Sequence, residues 1–74
     1  MTRLPSLRPD TVMSMLGRAG FEVVRIRGSH YQLRNSATNR RVTVPRHGRD
    51  LTQATLASII RQSGLTHDEF AQLL

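Results

Sequence analysis

The segment Arg25-Ile26-Arg27-Gly28-Ser29-His30-Tyr31-Gln32-Leu33 decides the fold that we predict for this chain. Strand-forming residues stand on both sides of Gly28, with valine and isoleucine before it and tyrosine and leucine after it. Glycine adopts positive φ without steric cost, so Gly28 is the natural point for the chain to reverse. We therefore predict a β-hairpin here, with Ser29 and His30 at the mouth of its second strand.

Two longer helices and one short helix are predicted from apolar spacing and end signals. The first begins at Pro9, where the missing N–H costs nothing, and stops at Gly20. The second is predicted to run from about Thr52, a capping residue, to Ser63. Thr66-His67-Asp68-Glu69 has the spacing of a capping box and begins the short last helix.

Strands are predicted over three segments separated by turn residues. They cover residues 21–27, 29–34 and 40–44. A sheet placed between helices in this order buries one face under the helices and leaves the other face free. We therefore predict an α+β fold, with helices on one face of a three-stranded antiparallel sheet. The α-β-β-β-α order is that of the double-stranded-RNA-binding domain, although a fold alone does not determine function.

Composition predicts a single small domain over residues 1–74. A chain of 74 residues, 38% of them hydrophobic, has room for one modest core. The sequence has no cysteine, which excludes disulfides and thiolate metal sites and favours an intracellular setting. No apolar stretch approaches the length that spans a membrane. We expect a soluble, cytoplasmic protein.

Charge is the most informative global feature. Eleven basic residues stand against five acidic ones, the net charge is +6, and every basic residue is arginine. Arginine offers a planar fork of donors that fits phosphate and stacks on bases, which favours a polyanionic partner. A genome biased towards arginine codons would produce the same count, and both explanations remain open at this point. A membrane surface fits less well, because the arginines do not form the polar face of one amphipathic helix.

His30 is the candidate for proton transfer at the mouth of the hairpin. Histidine side chains move protons near neutral pH, and guanidinium groups such as those of Arg25 and Arg27 can hold a phosphate. On the residues alone, a strand-end histidine that bonds a backbone carbonyl is the preferred explanation, because lone histidines seldom do chemistry.

Short motifs in a fixed order along nearly the whole chain carry a family resemblance. They are Ala19-Gly20-Phe21, Gly28-Ser29-His30, Val42-Thr43-Val44-Pro45 followed by His47, Leu51, Thr55-Leu56, Ile59, and Gly64-Leu65 through Phe70. Together they resemble the HicA toxins of bacterial and archaeal toxin–antitoxin modules. The turn over residues 35–39 departs from the family by lacking the proline common in its members.

The resemblance implies the toxin component of a type II toxin–antitoxin system that cleaves mRNA. It implies the double-stranded-RNA-binding-domain fold, a catalytic role for His30 in the Gly-Ser-His motif, and inhibition by a HicB antitoxin made from the neighbouring gene. With this resemblance, catalysis becomes the preferred role of His30.

The implied cleavage needs a base for the RNA 2′-hydroxyl and a donor for the leaving 5′-oxygen, and it needs no metal or cofactor. The five acidic residues are too scattered for a two-metal site, and the three histidines lack zinc-ligand spacing. We expect RNA contacts from Arg25, Arg27, Ser29, Arg46 and His47, with Arg27 and Arg46 best suited to the phosphate. His47 is either a second catalytic group or a residue that orders its loop.

Two non-catalytic functions are the alternatives. A double-stranded-RNA-binding module grips phosphates with basic residues at the start of its last long helix. Arg46 and Arg49 precede that helix here, but within it only Arg61 is basic. A protein-interaction module whose basic surface docks an acidic partner is the other alternative. Substitution of His30 separates the enzyme from both, because only the enzyme depends on it.

Overall fold

The computed structural model describes residues 4–74, in which three helices and three strands follow one another along the chain. They are α1 (Pro9–Arg18), β1 (Phe21–Arg27), β2 (His30–Asn35), β3 (Arg40–Pro45), α2 (Gln53–Ser63) and α3 (His67–Ala71). The predicted α+β class and order of elements are confirmed. The strand bounds shift slightly, because β2 occupies residues 30–35 and β3 includes Pro45. Within the described part, no helix is long and apolar enough to cross a bilayer.

The sheet is a simple antiparallel meander in the order β1-β2-β3. Arg27 pairs with His30, so that a loop of Gly28 and Ser29 joins the first two strands. Gly28 has φ +58°, a conformation that a side chain would strain. Two-residue hairpin loops with glycine at the first position match the twist of the flanking strands. The predicted reversal at Gly28 is therefore confirmed.

A bulge interrupts the pairing of β1 with β2. Val23 pairs with Leu33, but the next pair is Arg25 with Gln32, which leaves Val24 as an extra residue in β1. Residues that pair across antiparallel strands point to the same side of the sheet. Continued from the hairpin loop, an uninterrupted register would pair Val23 with Arg34 on the open side of the sheet. The bulge instead pairs Val23 with Leu33 on the side of the core, and with it places Phe21 on that side.

The core lies between one face of the sheet and the helices. Its buried side chains include Phe21 and Leu33 from the sheet and Met15 and Leu16 from α1. The core side chains as a group are Leu4, Leu7, Val12, Met15, Leu16, Phe21, Leu33, Val42, Val44, Leu51, Leu56, Ile59, Ile60 and Phe70. Burial of apolar surface on this scale is the main stabilising contribution in a domain of this size.

The predicted end signals of the last two helices are confirmed. The Thr52 hydroxyl accepts a hydrogen bond from the Thr55 amide, and Gly64 ends α2 in the left-handed conformation with φ +77°. Thr66 and Glu69 form the complete capping box at the start of α3. These local contacts satisfy backbone groups that helix ends otherwise leave without partners. They position α3 so that Phe70 enters the core.

We predict that Phe70→Ala lowers the free energy of unfolding by about 3–5 kcal/mol, because it removes a large, fully buried side chain. Leu74→Ala is the matched control, since Leu74 is 61% exposed, and its effect should stay within about 0.5 kcal/mol. Urea denaturation followed by circular dichroism measures both. Equal losses in the two variants would contradict the role of Phe70 as the anchor of α3.

Candidate nucleic-acid interface

His30 is the first residue of the central strand and lies on the open face of the sheet. Tyr31 and Leu33 point towards the helices, because they pair with the buried residues Val44 and Val42. Side chains alternate along a strand, so His30 points away from the helices. Its side chain is exposed.

Nine paired positions make up the face that carries His30, which we call the open face. Its first row is Arg27, His30 and Pro45. Its second row is Arg25, Gln32 and Thr43, and its third row is Glu22, Arg34 and Arg41. Among these described positions four residues are arginines and one is acidic, so the open face carries a positive potential. Directly paired side chains lie about 4.5–5.5 Å apart at Cβ, which places Arg27 beside His30.

Most arginines of the open face are available to a ligand. Arg34 donates from Nε to the Asn39 side-chain oxygen at 2.8 Å. Within residues 4–74, the side chains of Arg25, Arg27 and Arg41 make no hydrogen bond or ion pair, and neither does that of His30. Such guanidinium groups keep all five donors for an anion.

Arg46 lies outside the open face and has protein partners. Its Nε donates to Asp10 Oδ1 at 2.7 Å, and its Nη1 donates to the Tyr31 hydroxyl at 3.1 Å. Its guanidinium carbon is 5.4 Å from the centroid of the Tyr31 ring. These contacts tie the end of β3 to the first turn of α1. Arg46 is therefore not part of the basic surface that Arg25 and Arg27 form on the open face.

The pairing of Asp10 with Arg46 changes the pKa values of both groups. The hydrogen bond from Arg46 lowers the pKa of Asp10 below its ordinary value, and the charges of Arg46 and Arg8 add to this effect. The hydrogen bonds to Asp10 and then Tyr31 raise the pKa of Arg46 further above its already high ordinary value. Both side chains are exposed, so solvent and salt screen the interaction.

A polar cleft of about 400 Å³ lies where the β1–β2 loop meets the first turn of α1. Ser29 and Tyr31 line it from the hairpin, and Arg46 and His47 line it from the segment after β3. Arg8, the residue before α1, also lines the cleft and donates a hydrogen bond to the Gly48 carbonyl at 3.0 Å. The cleft adjoins the first row of the open face, because Ser29 precedes His30 and Arg46 follows Pro45.

His47 makes a contact within its own loop. The Arg49 backbone amide donates a hydrogen bond to His47 Nδ1 at 3.1 Å. Since Nδ1 is an acceptor here, the neutral ring carries its proton on Nε2 and can act as a donor from that atom. The sequence left two roles open for His47, a second catalytic group or a residue that orders its loop. This contact supports the loop-ordering role.

The structure brings together some of the residues predicted for the site and separates others. Arg25, Arg27 and His30 share the open face, whereas Ser29, Arg46 and His47 line the cleft. Sequence reasoning did not assign Arg34 and Arg41 to the site, although Arg34 alternates with His30 along β2 and Arg41 lies opposite the apolar face of Val42 and Val44 on β3. It also missed the contact of Asp10 with Arg46, because the two residues are 36 positions apart and no local sequence pattern links them.

Within residues 4–74, no group of three histidine, aspartate or glutamate side chains is close enough to hold a metal ion.

Residues 9–65 match the family model described as "HicA toxin of bacterial toxin-antitoxin". The match covers more than half of the chain and spans α1 to the end of α2. It includes the hairpin loop, His30 and the whole of the sheet. No curated protein matches the chain.

We predict that Asp10 titrates below its ordinary pKa of 3.8 and that Arg46→Gln moves the midpoint back towards that value. Because the folded pKa is depressed, the stability from this pair is present above the unfolded pKa and is lost as pH falls through the folded pKa. Carbon NMR of the Asp10 carboxyl group measures the midpoint. Arg49→Gln is the control, since it removes an equal charge from the same loop. An unchanged midpoint in Arg46→Gln would contradict the pairing.

Proposed function

The chain belongs to the HicA toxin family, and on that premise we propose that it is the toxin of a type II toxin–antitoxin system and a metal-independent, mRNA-cleaving endoribonuclease. The observation that carries the proposal is the placement of His30. Its side chain is exposed, has no protein partner within residues 4–74, and lies beside Arg27 on a face rich in arginine. A proton-transfer group next to a phosphate-binding cation is what RNA cleavage requires.

In the proposed reaction, His30 acts as a general acid or base in the attack of an RNA 2′-hydroxyl on the adjacent phosphorus. A new bond forms between the 2′-oxygen and phosphorus, and the bond from phosphorus to the 5′-oxygen breaks. The 2′-hydroxyl loses a proton and the leaving 5′-oxygen gains one, so the products are a 2′,3′-cyclic phosphate and a 5′-hydroxyl. Arg27 stabilises the negative charge that develops on the phosphoryl oxygens.

The other arginines of the open face would hold the RNA backbone. Arg25 and Arg41 have their full sets of donors available, and each lies within two rows of His30. Phosphate contacts of this kind position an RNA without reading its sequence. The open face has no phenylalanine, tyrosine or tryptophan among its nine described positions. Binding would therefore depend on charge more than on base stacking.

Residues of the cleft would contact the nucleotide next to the cleavage point. Ser29 and His47 both line this space, and His47 keeps Nε2 as a donor because its Nδ1 accepts from the Arg49 amide. Arg46 would contribute the guanidinium N–H groups that its bonds to Asp10 and Tyr31 leave over. These groups line the cleft and do not lie on the open face with His30. We therefore propose that they position the RNA and do not transfer protons.

The non-catalytic double-stranded-RNA-binding module is the weaker candidate. That function needs free basic side chains before and within the first turn of α2. Arg46 is occupied by Asp10, and α2 begins with Gln53 and Ala54, which carry no charge. Arg49 before α2 and Arg61 within it have no side-chain partner in residues 4–74, but Arg25, Arg27 and Arg41 share the open face with His30. This distribution supports a substrate on the open face.

We propose a HicB-type antitoxin as the protein partner. The open face would attract an acidic inhibitor through its arginines, and oppositely charged surfaces accelerate such an association. An inhibitor bound there would cover His30 and exclude RNA. Inhibition would then need no conformational change in the toxin.

We predict that His30→Ala reduces RNA cleavage by about 100-fold or more, the usual size of a general acid–base contribution. Cleavage of a defined mRNA is measured in excess chelator, because the proposed reaction needs no metal. His67→Ala is the control, since His67 is in the first turn of α3 and away from the sheet. Circular dichroism verifies that both variants are folded. Cleavage by His30→Ala at the wild-type rate would reject the catalytic assignment, and a need for added magnesium would reject the mechanism.

We predict that Arg27→Ala weakens RNA binding and flattens the plot of log affinity against log salt by about one unit, the loss of one phosphate contact. Binding is measured with 2′-O-methyl RNA, which cannot undergo the proposed attack. Arg61→Ala is the control, because Arg61 is an exposed arginine of α2 on the other side of the molecule. If Arg61→Ala flattens the slope and Arg27→Ala does not, the RNA lies on the helical side.

A further inference from the structure

The two outer edges of the sheet differ in whether their backbone groups have hydrogen-bond partners. At β3, the outward-facing amide of Thr43 donates a hydrogen bond to the Gln62 side-chain oxygen at 2.9 Å, and Ser58 holds the Gln62 amide at 3.0 Å. At β1, no backbone group of the outer edge has such a partner within residues 4–74. Unpaired edges are templates for another strand, and proteins usually cover, shorten or charge them. The chain covers one edge and leaves the other open.

The open edge strand also carries uncovered apolar side chains. Val23, Val24 and Ile26 are 46%, 54% and 56% exposed. Val23 pairs with Leu33, which is only 2% exposed, so Val23 points to the helical side of the sheet. The helices cover the middle of the sheet on that side but do not extend over this part of β1.

The same strand presents positive charge on its other side. Arg25 and Arg27 pair with Gln32 and His30, so both point to the open face. Neither guanidinium has a protein partner within the described residues. From Val23 to Arg27, β1 is therefore apolar towards the helical side and basic towards the open face.

We propose that β1 accepts an extended segment of a protein partner as a fourth strand, and that this segment alternates acidic and apolar residues. Its backbone would pair with the free edge of β1, in the way that peptides extend sheets in other complexes. On the open face, every second side chain would lie about 4.5–5.5 Å from Arg25 or Arg27, where a carboxylate is favoured. On the helical side, the intervening side chains would cover Val23 and Ile26, where an apolar residue is favoured.

Charge selects this occupant over a second copy of the chain. Pairing β1 with β1 of another copy would bring the arginines of both strands together, and each chain carries a net charge of +6. Like charges directly opposite each other in a sheet are destabilising. An acidic strand instead neutralises the arginines while it covers the apolar side chains.

Identification of the partner as the antitoxin rests on the proposed function. An added strand would lie beside the row that contains Arg27 and His30. Its carboxylates would occupy the same guanidinium groups that the RNA phosphates need. Strand addition would thus anchor the antitoxin and compete with substrate at one place.

The test uses two synthetic peptides of equal length and equal composition, both made of valine and glutamate. In one the residues alternate, and in the other the glutamates form a block. We expect the alternating peptide to bind the full chain about tenfold more tightly, a difference of ~1.4 kcal/mol. We also expect it to slow amide hydrogen exchange in β1. Equal binding of the two peptides, or binding that leaves the β1 amides unprotected, would overturn strand addition.

Variants locate the binding edge. Ile26→Thr keeps strand propensity but removes an exposed apolar side chain, so it should weaken binding of the alternating peptide. Leu74→Thr is the matched control, because Leu74 is equally exposed but lies at the end of the chain beyond α3, and it should leave binding unchanged. Equal effects of the two substitutions would overturn the assignment to β1. Protection of the β1 amides without peptide, rising with protein concentration, would assign the edge to a second copy and overturn the acidic partner.

The outcome is separable from that of the proposed function, since none of these measurements involves RNA cleavage. The peptide experiments are repeated with His30→Ala, which should bind the alternating peptide as tightly as the wild type. If His30→Ala still cleaves RNA while the peptide protects β1, the catalytic assignment fails and strand addition stands. If His30→Ala is inactive and neither peptide protects β1, only strand addition fails.

Discussion

The pairing register of β1 with β2 is the constraint on which the site depends. Gly28 at positive φ allows the loop that brings Arg27 opposite His30. The extra residue at Val24 then sets which side of the sheet the earlier part of β1 presents. Because side chains alternate with a period of two, a shift of one residue exchanges the two faces. Without the bulge, Phe21 and Val23 would point to the open face, and the core would lose the Phe21 side chain.

Two groups of arginines with different physical roles stand out in residues 4–74. Some of them join distant segments: Arg46 bonds Asp10, Arg8 bonds the Gly48 carbonyl, and Arg18 bonds the Leu73 carbonyl. Others, such as Arg25 and Arg27, have no protein partner in the described part of the chain. The first group holds loops and the C-terminal helix against the body of a small domain. The second group is concentrated on the sheet, which is why we place the RNA there.

The proposed substrate and partner use adjoining surfaces of one strand. The open face offers charge and the proposed proton-transfer group, while the outer edge of β1 offers backbone donors, acceptors and apolar side chains. An uncovered edge is an aggregation hazard for an isolated protein. For a toxin that is held by a partner, the same edge becomes an attachment point. The edge at β3 is covered by Gln62, which would limit the proposed strand addition to the β1 side of the sheet.

The local features of the protein were determined by its sequence alone, because short-range sterics and hydrogen bonds produce them. The reversal at Gly28, the caps at Thr52 and Thr66, the order of elements and the family motif around His30 all fall in this class. Tertiary structure decided the rest. The bulge at Val24 depends on how two strands share a register, and the bond of Arg46 to Asp10 joins residues that only folding brings together. Whether an apolar residue of β1 is covered depends on how far the helices extend over the sheet, which no local pattern records.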